Sequence, residues 1–220
     1  MKARSRKIQG NILIAIGVIL LAAALFIVAR NVRDDMQAGS ASDQMASEIH
    51  ANIGDNLTPA YSPGDIDLID LPPYVKFPGM ELPVGQIDGM DCVGILQLPT
   101  LDKEFAIISE LTMDNLGYAP CRYHGTPYMN NLVIAAHNFY SHFTQIRNLE
   151  QGDRVTFIDM DGNVFDYTVE MNGVLDPYEV DKMINSEWDL SLFTCTFDSA
   201  SRYTVRCMRA DSDATVVTLE

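Results

Sequence analysis

The sequence predicts a mainly β domain, a barrel or a sandwich with a few short helices, behind one N-terminal membrane-spanning helix. Three observations predict it. From Ile12 to Ala29 every residue is apolar, with no interruption by charge. From about Gly85 onward, short apolar runs alternate with turn residues, the pattern of closely spaced strands. In that region only Asn138–Leu149 and Tyr178–Ser186 look helical.

The apolar run of 18 residues approaches the roughly 20 needed to cross a hydrocarbon core. It exceeds the 7–15 of a cleaved signal's apolar region, and Val28-Ala29-Arg30-Asn31 is a poor cleavage site. Lys2, Arg4, Arg6 and Lys7 precede the span, against Arg30 and Arg33 after it. That asymmetry predicts an N-terminus inside and the bulk of the chain outside. The expected organisation is a cytoplasmic basic tail over 1–7, a transmembrane anchor over 8–29, a stalk and Pro-rich arm over 30–84, and a β-barrel domain over 85–220.

Within 30–84, Met36, Met45, Ile49 and Ile53 fall at loose helical intervals, so 34–54 reads as an amphipathic helix or stalk. Six of the ten prolines then lie between Asn56 and Val84, which reads as an extended arm. Beyond it, Val93–Leu98, Phe105–Ile108 and the wholly apolar Leu132–Ala136 read as strands. Arg154–Ile158 and Val164–Val169 flank Asp161-Gly162 as a hairpin. Leu190–Phe197 and Arg202–Met208 form a second hairpin around Asp198 to Ser201.

The formal charge is −15, and all six basic residues before Asp34 lie in an acid-free stretch. The rest holds nine basic against 30 acidic residues. That excludes a basic nucleic-acid footprint and a domain lying on anionic lipid. An acidic surface mostly solvates, so it points to no metal, and no cofactor motif stands out.

Four cysteines occur, none at CxxC spacing, which gives zinc or thioredoxin-type chemistry little support. In the second hairpin Cys195 falls opposite Arg202. Cys207 lies about 16 Å farther on at ~3.3 Å per residue, beyond the ~7 Å reach of a disulfide. Cys207 reads as a buried small hydrophobe, and a Cys92–Cys121 bridge stays open. His50 lies in the stalk and His124 in a loop, without evident partners. His142 reads as a helix-face histidine. His137 ends the buried strand Leu132–Ala136.

Cys195, His137 and Arg202 therefore each sit at a strand end. Brought to one rim, they suit nucleophilic acyl transfer. A thiolate attacks a carbonyl, an imidazole moves protons and a guanidinium faces the oxyanion.

The residues carry a resemblance beyond this spacing. Ser191-Leu-Phe-Thr-Cys195-Thr followed by Arg202-Tyr-Thr-Val is similar to the sortase signature, and Leu132-Val-Ile-Ala-Ala-His137-Asn resembles the sortase histidine strand. Phe143, Ile146, Leu149 and Gly152-Asp153-Arg-Val resemble the stretch that follows. Ile95-Leu-Gln-Leu-Pro, Gly117-Tyr-Ala-Pro and Gly125-Thr126 match upstream segments. The likeness covers about 85–210 and implies a sortase-like β-barrel. Ser191 stands where the motif usually has Thr, and Asn138 follows the histidine where Arg is frequent.

The resemblance implies Cys195 as nucleophile, His137 as general acid/base, Arg202 at the oxyanion, and Thr194 lining the substrate groove. Arg206 and Arg209 compete for the arginine role, with Arg202 better placed. The implied reaction cleaves a Leu-Pro-x-Thr-Gly-like sorting signal on a surface or pilin protein. A thioacyl enzyme then passes the protein to an amine of the cell-wall peptidoglycan or a pilin. A helical look over Val174–Asn185 resembles the insertion of class B sortases. Two other readings use the same residues: a cysteine peptidase that only hydrolyses, and an inert sortase-like binding module.

Overall fold

The computed structural model describes residues 2–54, 57–59 and 71–210, with side chains from residue 11 onward. The middle of the expected arm, residues 60–70, lies outside the described residues. The chain divides into two units, 1–37 and 38–220. Helix α1 (Lys2–Ile53) contributes to both. In the first unit it holds an 18-residue window of mean hydropathy 3.2, long and apolar enough to cross a membrane.

Among the described residues the second unit carries ten strands: β1 (Thr58–Pro59), β2 (Gly85–Ile87), β3 (Met90–Leu98), β4 (Lys103–Ile108), β5 (Cys121–His124), β6 (Leu132–Ala136), β7 (Arg154–Asp159), β8 (Asn163–Leu175), β9 (Leu190–Cys195) and β10 (Arg202–Arg209). Two short helices, α2 (Pro73–Lys76) and α3 (Val180–Ile184), and several 3₁₀ turns complete it. Eight strands close on themselves in the order β8-β10-β9-β6-β5-β4-β3-β7, because β7 pairs with both β3 and β8. The architecture is thus a barrel rather than a sandwich. Strand β2 extends the β3 edge and β1 runs parallel to β8.

Period-two alternation sorts side chains between two apolar clusters. On β4, Phe105 and Ile107 point into the barrel with Leu96, Phe157, Phe165 and Leu192. The intervening Ala106 and Ile108 join Ile95 and Ile158 on the outer face. That face is covered by Met45, Ala46, Ile49 and Ile53 of α1. Both faces of β3 and β4 are therefore dry, which explains why these strands read as continuous apolar runs. His50 Nε2 lies 2.8 Å from Glu104 Oε1, and Gln44 donates to Asp88 at 2.8 Å, at the edge of the same contact. The residues expected as a stalk thus form, from Ala38 to Ile53, a helical cover on the barrel.

The β3–β7 contact depends on one glycine. At Gly94 the ladder with β4 is bulged and φ is +153°. A Cβ there would lie 2.0 Å from the Ile158 carbonyl oxygen, closer than any non-bonded contact allows.

Differences from the sequence reading are local. The helix expected over Asn138–Leu149 is a 3₁₀ stretch, Phe143–Asn148, and the one over Tyr178–Ser186 contracts to α3. Strand β9 stops at Cys195 because Thr196 already turns. Its Oγ1 accepts from Ser201 N and donates to Asp198, and Ala200 N caps the same carboxylate.

Candidate active site

The parallel pairing of β6 and β9 sets the geometry. It runs from Leu132 opposite Leu190 to Ala136 opposite Thr194. The next residue on each strand is His137 and Cys195. On the other side β10 pairs antiparallel with β9, and Arg202 stands opposite Cys195. The three side chains thus leave adjacent strands at one end of the barrel. Cys207 pairs with Leu190 at the far end of β9, as the hairpin register requires.

Thr194 is buried, and its Oγ1 donates to the Ala136 carbonyl at 2.9 Å. That bond clips the histidine strand to the cysteine strand one residue before both functional groups. Behind His137 the chain is held by Asn138, whose Oδ1 accepts from Thr144 Oγ1 at 2.7 Å and from Arg147 Nη2 at 3.4 Å. The Phe139 ring lies 4.9 Å from that of His137. Burial holds the half-buried imidazole below its ordinary pKa of 6.5, which favours the neutral, proton-accepting form.

The four cysteines differ sharply in setting. Cys92, Cys121 and Cys207 are buried, and desolvation raises all three thiols, the first two to about 12. Cys195 alone is partly exposed. Reactivity requires an accessible thiol able to ionise, so the buried three are unsuited as nucleophiles. All four are free, which removes the Cys92–Cys121 bridge. Both strands of these residues flank Ile108, so they are two strands apart.

The arginines separate by what they face. Arg206 is buried, donating to Ser191 Oγ at 2.6 Å and to the Lys182 carbonyl at 2.9 Å. Arg209 lies over the rings of Phe165 and Tyr167 and donates to Pro127 O. Both serve the interior. Arg202 is half-buried and faces a cavity of about 280 Å³ that His137 and Cys195 also line. The cavity walls are mostly apolar: Leu111, Leu116, Tyr123 and Phe193 on one side, Val180 and Met183 of α3 on the other. Asp176 and Glu179 add acidity at its rim. A second cavity of about 180 Å³ shares Cys195 but neither His137 nor Arg202. Thr194 lines this smaller one and not the larger.

The other histidines lie elsewhere. His50 pairs with Glu104, and His142 is packed against Phe105 and Phe139. Among the described residues no group of three His, Cys, Asp or Glu could hold a metal ion.

Residues 96–210 match the family model described as the sortase domain. The chain belongs to the sortase family. Solved sortases share the fold. A Clostridium perfringens sortase D5 transpeptidase aligns at TM-score 0.55 and 19 % identity, over 77 % of this chain and 98 % of that one. A sortase C of Clostridium perfringens SM101 aligns at 0.48 and 21 %, over 82 % and 89 %. Listeria monocytogenes sortase A aligns at 0.49 and 21 %, over 54 % and 86 %. No curated protein matches the chain.

Sequence reasoning missed the groove walls of this sortase. They come from 111–123, a turn-rich stretch ending on β5, and from 176–183, where α3 reads as helical but nothing in its pattern places it at the site. Arg147 and Tyr203 were likewise unread. Arg147 sits in a turn whose only signal is the polar string Thr144-Gln-Ile-Arg-Asn.

Proposed function

We propose that this sortase is a cysteine transpeptidase with Cys195 as nucleophile, His137 as acid/base and Arg202 as oxyanion partner, while Thr194, expected to line the substrate groove, instead ties β9 to β6 and walls the smaller cavity beside the nucleophile. The observation that carries the reading is the strand register, which sets the one accessible thiol between a neutral imidazole and a guanidinium at a groove mouth. A sorting peptide lies in the larger groove. His137 accepts the thiol proton as Cys195 Sγ attacks the scissile carbonyl. Arg202 stabilises the oxygen that becomes negative. The protonated imidazole then hands its proton to the leaving amine, and a thioacyl enzyme remains.

The apolar walls suit aliphatic and proline side chains of an LPxTG-like signal. An amine of the cell wall or of a pilin then resolves the thioester. The N-terminal helix would anchor the enzyme with its catalytic domain extracytoplasmic. Sharing a membrane face with its substrates would raise effective concentration without tight binding.

The test is intact mass of the detergent-solubilised chain, incubated with Leu-Pro-x-Thr-Gly, Leu-Pro-x-Thr-Ala and Asn-Pro-x-Thr-x peptides, with and without an amine. A thioacyl adduct on wild type but not on Cys195→Ala, resolved faster by amine, is the expected result. An adduct that amine does not accelerate would make the enzyme a hydrolase. No adduct from any peptide would count against the assignment.

A further inference from the structure

The reading above uses one of the two cavities that meet at Cys195. The smaller, about 180 Å³, is lined by Thr144 and Arg147 from the 3₁₀ stretch, by Thr194 and Cys195 from the end of β9, by Thr196 and Phe197 from the turn, and by Tyr203 from β10. Its chemistry is the reverse of the larger cavity's. The larger carries Asp176 and Glu179 at its rim. The smaller contains no acidic residue, in a chain of formal charge −15, and its one charged member is a cation.

That cation is held in place. Arg147 Nε donates to the Thr144 carbonyl at 2.6 Å and Nη2 reaches Asn138 Oδ1 at 3.4 Å. Its guanidinium lies 4.4 Å from the centre of the Phe197 ring, and its own carbonyl accepts from Tyr203 Oη at 3.3 Å. No carboxylate within the described residues forms an ion pair with it. The threonine hydroxyls of this cavity already donate to Asn138, Ala136 and Asp198, so the group left to receive a carboxylate is the Arg147 guanidinium over the Phe197 ring. Because Cys195 borders both cavities, a molecule here lies beside the sulfur on the side that the sorting peptide leaves open.

We propose that the smaller cavity docks the amine acceptor, and that it selects a primary amine bearing a free carboxylate one or two residues away, which pairs with Arg147. The proposal rests on Cys195 forming the thioacyl intermediate. The acceptor nitrogen attacks the acyl carbon. The C–N bond forms, the C–S bond breaks with its electron pair returning to sulfur, and the surplus amine proton passes to neutral His137. Arg147 also disfavours an ammonium beside it, so the acceptor docks more readily in the neutral, nucleophilic form.

The test compares diglycine with diglycine amide as acceptors for the full chain in detergent, alongside Arg147→Ala and Arg147→Lys. The wild type should show a KM about tenfold lower for diglycine than for the amide. Arg147→Ala should abolish that difference and Arg147→Lys should keep part of it, since the charge stays but the fork is lost. Equal use of both acceptors by wild type overturns the proposal. So does Arg147→Ala slowing thioacyl formation as much as transfer, because the cavity then serves the donor. A binding arm separates the two readings. Chemical-shift titration of diglycine into Cys195→Ala reads docking without chemistry. Binding that disappears with Arg147→Ala supports the acceptor cavity even if wild type forms no thioester, which would then count against the nucleophile alone. Binding indifferent to Arg147 sinks the cavity.

Discussion

At the scale of single residues, His137 carries the sharpest expectation. Burial depresses its pKa below 6.5. On the proposed mechanism the base that accepts the thiol proton is the neutral imidazole, so the active form survives to lower pH than an exposed histidine would allow. The acid limb of kcat/KM for thioacyl formation should therefore have its midpoint below pH 6.5. The stability sign runs with it. The unfolded chain binds this proton first, so the neutral, half-buried His137 contributes in full above pH 6.5, and that contribution is lost as pH falls through the depressed value. A limb at or above 6.5 would show that a group other than this half-buried imidazole sets the rate. His137→Ala should lower the rate by roughly 10²–10⁴, the range for loss of a positioned acid/base. The same contrast between half-buried and buried settings reduces four cysteines to Cys195, while Arg202 stands out from Arg206 and Arg209 because it lines the larger cavity.

At the scale of elements, the site is a property of strand register. Thr194 is the clip between β6 and β9, and Thr194→Val keeps the shape while deleting the bond to the Ala136 carbonyl. We expect a loss of about 1–2 kcal/mol in urea unfolding, from one buried acceptor left unpaired. The loss of rate should exceed what stability explains, because His137 and Cys195 follow directly on the clipped pair. Thr194→Ser should restore both. A Thr194→Val enzyme with wild-type kcat would remove the clip from the mechanism. This register is also where the sequence was most legible. Leu132–Ala136 is apolar at every position because both its faces are dry, so its bounds and the histidine after it could be read directly. Arg202 opposite Cys195 followed from turn length. The β5 strand was illegible, since Cys121, Arg122, Tyr123 and His124 mix chemistries and its side chains serve the groove as well as the ladder. The 138–149 segment misled through apolar spacing, because Phe143, Ile146 and Leu149 are buried by a 3₁₀ turn as well as they would be by a helix.

At the scale of the whole molecule, the question is what the helical cover over residues 38–53 does for the barrel. Period-two strands with two apolar faces cannot stand in water on their outer side. Ile95, Ala106, Ile108 and Ile158 would form an exposed apolar patch without Met45, Ile49 and Ile53. The compact unit is therefore the barrel together with this cover, and its physical boundary lies ahead of Ala38 rather than at the start of the strands. Ile49 is fully buried in the contact, so Ile49→Ala should cost about 2–4 kcal/mol by denaturant unfolding. Ser47→Ala, on the exposed side of the same turn, should cost little. A fragment beginning at Asp34 keeps the cover, whereas one beginning at Leu57 loses it. The shorter fragment should melt lower and bind an apolar dye at temperatures where the longer one does not. If the two melt alike and neither binds dye, the strands bury their outer face by some other means. Ile49→Ala would then be equally silent, and the two measurements must agree because both read one interface.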